Sequence, residues 1–169
     1  MSALCGFLFF SGHIMWPVFI QNNLSFFRGG TIRMNLTLIK NPDESKSVLY
    51  KIARIVYAET HAVSLHSVEA LTSMIANNAR VYGREYSDIV SDNDLFEVLT
   101  PESKNHKLLS VNVSDEKFQM CLRVVTRMLH GALDDCCNGA TRFHHADEIP
   151  QWATSRGYIA DIDGILFYL

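Results

Sequence analysis

One carboxylate in this sequence keeps company that water-exposed acids seldom keep. Glu59 follows Ile55, Val56, Tyr57 and Ala58 at the end of an apolar segment. A carboxyl group set against aromatic and aliphatic surface loses hydration, so its pKa rises and it can hold a proton near neutral pH. That is the property a general acid needs. Thr60 is placed to hydrogen-bond the carboxylate or the local backbone. Tyr57 is placed either to touch Glu59 and its substrate or to pack in the core. The competing reading of Glu59 is a solvated glutamate at a helix end.

Histidines and cysteines offer other chemistry. His61 and His66 are five residues apart, about 140° around a helix axis, which is poor geometry for a shared metal. His144 and His145 are adjacent and point apart if extended. With Asp147 nearby they allow a metal site in a loop; the plainer reading makes His144 a hydrogen-bonding groove wall and His145 a solvated side chain. No metal and no cofactor is expected. Cys5, Cys121, Cys136 and Cys137 contain no C-x-x-C pair, and adjacent cysteines rarely bridge each other. Free thiols are expected, with a bridge from Cys121 to the 136–137 pair as the alternative. Cys136 or Cys137 with His144 or His145 would make a nucleophile and base. Both cysteines, however, follow a helix C-terminus, where the dipole disfavours a thiolate.

The elements that must position these groups are mainly helical. Pro42, Asp43 and Glu44 start a helix expected over 44–58, with Val48, Leu49, Ile52, Ala53, Val56 and Tyr57 at helical spacing. Ser64 caps a second helix through Tyr82, with Leu65, Val68, Leu71, Met74, Ile75 and Ala79 inward and Gly83 as its stop. Residues 92–99 add a short helical piece, and 100–114 are turn-rich. Ser114 is expected to cap a third helix over 115–130, with Phe118, Cys121, Leu122, Val125 and Leu129 inward and Gly131 at its end. Near the end, 158–162 and 165–168 flank Asp163-Gly164, a dipeptide suited to the positive φ angles of a two-residue hairpin turn. The expectation is an α+β fold dominated by helix, with a small C-terminal β-hairpin.

Several short motifs occur together in a familiar order. Residues 52–60 read I-A-R-I-V-Y-A-E-T, and 67–80 read S-V-E-A-L-T-S-M-I-A-N-N-A-R. Residues 138–144 read N-G-A-T-R-F-H; Pro150, Gln151 and Trp152 follow, then I-D-G-I-L-F-Y over 162–168. This series resembles the SleB-type cell-wall hydrolases, the family of spore cortex-lytic enzymes. Its motifs run roughly A-R-V-V-Y-x-E-A, G-x-x-A-V-A-x-V-I-x-N-R, N-G-A-x-x-[FY], P-x-W and I-G-x-H-x-F-Y. The resemblance spans roughly residues 48–168, and its specificity lies in the order of several individually weak motifs. The chain differs from the pattern at Thr60-His61-Ala62-Val63, at Asn77-Asn78-Ala79-Arg80 and at Ile165.

The resemblance implies a fold similar to goose-type lysozyme and the lytic transglycosylases. It implies that Glu59 is the catalytic acid and base on a MurNAc–GlcNAc bond of peptidoglycan, by a single-glutamate transglycosylase or muramidase reaction. No second carboxylate lies in a comparable motif, although Asp147, Glu148 and Asp161 are candidates to lie near in space. Asn138, Gly139 and Ala140 would shape a loop that brings backbone amides to the glycan. His144 and Trp152 would line the groove, with Phe143 closer to the core; Tyr57 and Thr60 complete the expected substrate contacts. The alternatives are a glycan-binding or structural module of the same fold that has lost the reaction, and the cysteine-dependent hydrolase.

Bulk properties bound these readings. The chain has 169 residues, 48% hydrophobic and 20% charged, enough for one domain with a real core. A net charge of −3 without a basic stripe gives no sign of nucleic-acid binding. Residues 1–39 read as an extension and 40–169 as the domain. The first 27 residues hold no Lys, Arg, Asp or Glu, yet Gly6, Gly12, His13 and Pro17 interrupt the apolar run and no positive n-region precedes it. The segment reads as a weak secretory signal or membrane anchor, as a stretch ahead of a true start at Met34 or, least readily because it lacks a helical or strand period, as a core element. An envelope, periplasmic or exported location follows from the implied substrate, and a cytoplasmic one if the segment is not a signal.

Overall fold

The computed structural model describes residues 47–169. The extension at 1–39, Met34 and the helix-start residues 42–44 lie outside the described residues. The first helix, α1, runs Val48–Thr60, later at both ends than the 44–58 expected. Ser47 is extended, with φ −66° and ψ 157°, so the helix begins after it. At the other end Thr60 donates its hydroxyl to Val56 O at 2.6 Å, and the Ala62 amide donates back to Thr60 Oγ1 at 3.1 Å. These bonds hold a tight exit through His61 (φ 51°) and Ala62 (φ 45°), a left-handed pair of non-glycine residues. Glu59 thus sits inside the last helical turn rather than beyond it.

Helix α2 spans Leu65–Tyr82, with both signals as expected: Ser64 Oγ accepts the Ser67 amide, and Gly83 closes the helix at φ 62°. Leu65 is a correction; in the first turn it faces water at 50% exposure, while Val68, Leu71, Met74 and Ile75 are fully buried. A four-residue helix, α3 (Tyr86–Ile89), and a 3-10 turn at Glu97–Leu99 replace the single short piece expected over 92–99. A second 3-10 turn, His106–Ser110, lies within the turn-rich stretch. Helix α4 is Glu116–Leu129. Its cap is Asp115, whose Oδ1 accepts the Phe118 amide at 2.9 Å, and not Ser114, whose hydroxyl is held by Asn112 Oδ1 at 2.8 Å. Leu129 lies past the buried stripe at 39% exposure, whereas Phe118, Cys121, Leu122 and Val125 are fully buried.

Helix α1 is covered by α2, α4 and the 3-10 turns at Glu97–Leu99 and His106–Ser110, which is why its buried residues lie on more than one face. Tyr50, Ile52, Phe96, Phe118 and Phe167 are among the largest fully buried side chains. Each contributes about 1.5–3 kcal/mol of hydrophobic stabilisation, or somewhat more for the largest rings. The buried polar side of α2 takes the chain after α4. Ser73 Oγ donates to Asp134 O at 3.1 Å, and Asn78 Nδ2 donates to Thr141 O at 3.0 Å.

The hairpin forms as read, β2 (Tyr158–Ile162) and β3 (Ile165–Tyr168), with Asp163 at φ 55° and Gly164 at φ 77°. It is not alone. Arg142–His145 forms β1, antiparallel to β3, giving a three-stranded sheet in the order β1-β3-β2. The α+β class holds, and the hairpin becomes two strands of three. Along β1 the side chains alternate. Phe143 and His145 turn toward the helices, Phe143 against Phe96 with ring centroids 5.9 Å apart. Arg142 and His144 turn to the other face, where Trp152 and Tyr168 meet His144.

Candidate active site

Glu59 is 4% exposed, and both of its oxygens are engaged. His145 Nε2 lies 2.9 Å from Glu59 Oε2, and the Val98 amide donates to Oε1 at 3.3 Å. The carboxylate therefore joins three parts of the chain: the end of α1, the 3-10 turn at Glu97–Leu99 and β1. The Val98 peptide is held from its other side, since His106 Nδ1 donates to Val98 O at 2.9 Å.

The hydrogen bond to Glu59 holds His145 above the ordinary imidazole pKa, against the opposing effect of its burial. Below that raised value the pair is an imidazolium and a carboxylate. His144 is built differently. Its Nδ1 donates to His145 O at 2.8 Å, and its Nε2 shares a hydrogen bond of 3.1 Å with the Tyr168 hydroxyl. The two neighbouring histidines thus carry different hydrogen-bonding duties.

Two hollows meet at this pair. One, of about 190 Å³, is lined by Glu59, Asp94, Glu97, His144, His145, Glu148 and Trp152. The other, of about 250 Å³, is lined by Glu59, Thr60, His61, Lys104, His145, Asp147 and Asp163. Glu59 and His145 belong to both. Within the first hollow, burial pushes Glu148 above the usual carboxylate range, and its hydrogen bond with Glu97 adds to the effect. In the second, Lys104 pairs with Asp147 at 2.9 Å, with both side chains largely in water. The hollow lined by Ser73, Asn77, Arg80, Tyr86, Met128 and Asp135 is larger, about 370 Å³. Its charged groups are committed elsewhere, Arg80 to Asn77 Oδ1 at 2.9 Å and Asp135 to backbone amides. Size is a poorer guide here than chemistry.

The residues expected at the site divide cleanly. Glu59, His144 and Trp152 share the first hollow, and Thr60 lines the second, although its hydroxyl serves the backbone. Tyr57 does not join them. Two residues along a helix turn about 200°, and the Tyr57 ring packs edge-on against Phe118 at 6.0 Å. Asn138, Gly139 and Ala140 also lie outside both hollows. The Gly139 amide donates to Asp135 Oδ2 at 2.7 Å and the Ala140 amide to Cys137 O at 3.0 Å, so these amides are not offered to a ligand. Asn138 (φ 48°) and Gly139 (φ 81°) turn the chain into β1. Asp147 and Glu148 do come near Glu59; Asp161 does not, and its Oδ1 accepts the Gly164 amide at 3.0 Å to close the hairpin.

His145 is the correction that matters most. It is a half-buried partner of Glu59, not a solvated side chain, because β1 alternation puts it on the same side as Phe143. Glu97 was also missed, having no motif of its own.

The described cysteines are free: Cys121 and Cys137 are buried and Cys136 is partly exposed. No bridge joins Cys121 to the 136–137 pair. Burial pushes the Cys121 thiol up to about 12 and raises Cys136 and Cys137 as well. The Cys137 thiol donates to Asp135 Oδ1 at 3.4 Å, and His144 and His145 have other partners, so no described cysteine has an imidazole base. Among the described residues no group of three or more His, Cys, Asp or Glu is placed to hold a metal ion, and no helix is long and apolar enough to cross a membrane. No protein-family model, curated protein or solved structure matches this chain.

Proposed function

We propose that the chain cleaves the glycan strands of peptidoglycan, with Glu59 as the acid/base group and His145 as its proton partner. One observation carries the reading: a nearly buried carboxylate hydrogen-bonded to an imidazole forms the shared wall of two open hollows. A polymer substrate needs room on both sides of the bond that breaks, and the reacting group belongs between the two spaces. Trp152 offers an apolar ring face to one sugar in the first hollow. The order of motifs around Glu59, 138–144, Trp152 and 162–168 supports a lysozyme-like domain of the SleB type.

The chemistry balances on one proton. The Glu59–His145 pair delivers it to the glycosidic oxygen, the C1–O bond breaks, and positive charge develops at C1 and the ring oxygen. The sugar's own C6 hydroxyl then attacks C1 and returns its proton to the pair, closing a 1,6-anhydro ring. Attack by water instead gives a reducing end. Glu97 and Glu148, across the first hollow, are the carboxyls available to stabilise the cation or to orient that water. The enzyme would act at the cell envelope, where its polymer is.

The second reading is a glycan-binding module without turnover, favoured by the fact that both Glu59 oxygens already have internal partners. Mass spectrometry of purified peptidoglycan after incubation with the protein and with Glu59→Gln separates the cases. Anhydro ends identify transglycosylation and reducing ends hydrolysis, each absent with Glu59→Gln. An intact polymer that retains the protein identifies the binding module. An intact polymer that does not retain it overturns both.

A further inference from the structure

A third hollow, of about 290 Å³, opens beside the groove and differs from it in charge. It is lined by Asn78, Tyr82, Arg84, Asp92, Arg142 and Arg156, and it shares Leu95 with the first hollow. Arg84 is neutralised by Asp92 at 2.8 Å. Arg142 and Arg156 form no ion pair with a side-chain carboxylate among the described residues. Arg142 instead lies over the Trp152 ring, 5.2 Å from its centroid, and Arg156 donates to Leu169 O at 2.8 Å. The hollow thus holds two guanidinium groups that no Asp or Glu side chain neutralises, Arg156 being held by Leu169 O, while the first hollow carries Glu59, Asp94, Glu97 and Glu148. Trp152 lines the first hollow and carries Arg142 of the third on its ring.

Two further groups fit the same ligand. Tyr82 lies beside Thr141, Arg156 and Arg142, and its phenol is held below its ordinary pKa, first by the hydrogen bond with Thr141 and then by Arg156. Its environment is one that favours negative charge. Asn78 is 3% exposed, and its Nδ2 is committed to Thr141 O. Its Oδ1 is buried with no hydrogen-bond partner in the structure. An orphaned acceptor next to guanidinium groups without a side-chain carboxylate partner suits a ligand with both an N–H and a carboxylate.

We propose that this hollow binds a carboxylate of the substituent on the muramic acid residue, so that Arg142 and Arg156 anchor a strand whose sugar backbone lies in the groove. The proposal rests on the glycan-cleavage reading and gives it a substrate preference: strands whose muramic acid substituent carries a carboxylate over bare chitin-like strands. Arg142 links recognition to the groove, because the guanidinium that meets the anion also sits on Trp152. The carboxylate has two sources, the lactyl ether itself or the peptide attached to it.

The test uses the full chain and Arg156→Gln on three probes: peptide-bearing strands, strands stripped by an amidase so that only the lactyl carboxylate remains, and the free stem tetrapeptide. Losing one charge-assisted contact should raise KM about tenfold on the strands that supply the carboxylate. A rise confined to peptide-bearing strands identifies the peptide's carboxylate, and a rise confined to stripped strands, where the lactyl group is no longer an amide, identifies the lactyl one. For the peptide source, ¹⁵N resonances of the Arg142 and Arg156 guanidinium groups in the wild-type chain should also shift as free tetrapeptide is added. This readout stands even if Arg156→Gln folds poorly. KM unchanged on both strand types, with still guanidinium resonances, overturns the anion site alone. Guanidinium shifts without cleavage of any strand overturn the Glu59 reading and leave the anion site standing.

Discussion

Replacing His145 by Gln should destabilise the protein by about 2 kcal/mol near pH 6.5. The Glu59 side chain is 3% exposed and that of His145 24%. Without the ring, Glu59 Oε2 loses its donor while the Val98 amide still serves Oε1. A hydrogen bond to a charged group contributes about 1.5–3 kcal/mol, and stripping one partner from a deeply buried pair costs about 3–5. The hollows beside His145 let water reach the freed oxygen, which places the cost in the lower range. For a domain of this size that is a melting temperature lower by about 4–8 °C. The pH dependence has a fixed sign. His145 titrates higher in the folded chain than the ordinary imidazole value of about 6.5, so the folded state holds its proton longer than the unfolded one. The pair's contribution is therefore complete at about pH 6.5 and fades as pH rises through the raised value. Thermal melts followed by circular dichroism between pH 6.5 and 9 should show the wild-type curve falling toward the His145→Gln curve. Glu59→Gln removes the cause of the shift and should flatten the slope as well. A stability gap that is constant over that range, or that widens with pH, would refute the pairing.

Three other outcomes follow from the same structure. Asp135→Asn should cost about 1 kcal/mol, discounted for the exposure of the carboxylate, because it weakens the acceptor of the Cys137 and Gly139 amides. Asp135 is held below the usual carboxylate range even though burial acts the other way. Its contribution is thus present above about pH 4 and lost as pH falls through the depressed value, which urea titrations at pH 3 and 6 would show. His61→Gly should raise stability by about 1 kcal/mol, since His61 is exposed and held at φ 51°; a lower melting temperature would mean that its ring makes a contact worth more than the strain. Iodoacetamide at pH 8 should mark Cys136 before Cys121 or Cys137, read by peptide mapping, and should leave peptidoglycan turnover intact; loss of turnover in step with labelling of any one cysteine would restore the thiol mechanism.

Much of the helical scaffold was legible because its signals are local. Ser64 and Gly83 bracket α2 by cap chemistry, and Asp163-Gly164 marks its turn by the φ angles it permits. Errors fell where two local candidates compete or where a partner is distant. Ser114 and Asp115 are both good caps, and Asn112 settles the choice by taking the Ser114 hydroxyl. Strand β1 is four residues long and has meaning only beside β3, so its sequence reads as loop until the sheet is known. The site followed the same rule. Glu59 stood out by its neighbours in sequence, whereas His145, 86 positions away, had only a weak signal. That signal was the period of two in Arg142-Phe143-His144-His145: with Phe143 inward, His145 must be inward too. Tyr57 and the 138–140 turn were drawn to the site by nearness along the chain, and helix geometry and the Asp135 carboxylate take them elsewhere.

The adjacent histidines of β1 make the chemistry hostage to strand register. Slide this strand by one residue against β3 and the composition is untouched, yet the two imidazoles trade places. His144, now bonded to a tyrosine hydroxyl, would face the glutamate, and His145 would stack among the aromatic rings. An inserted or deleted residue in the turn before Arg142 could thus silence the protein while every side chain named above remained in the chain. Changes of loop length there should be far less tolerated than substitutions.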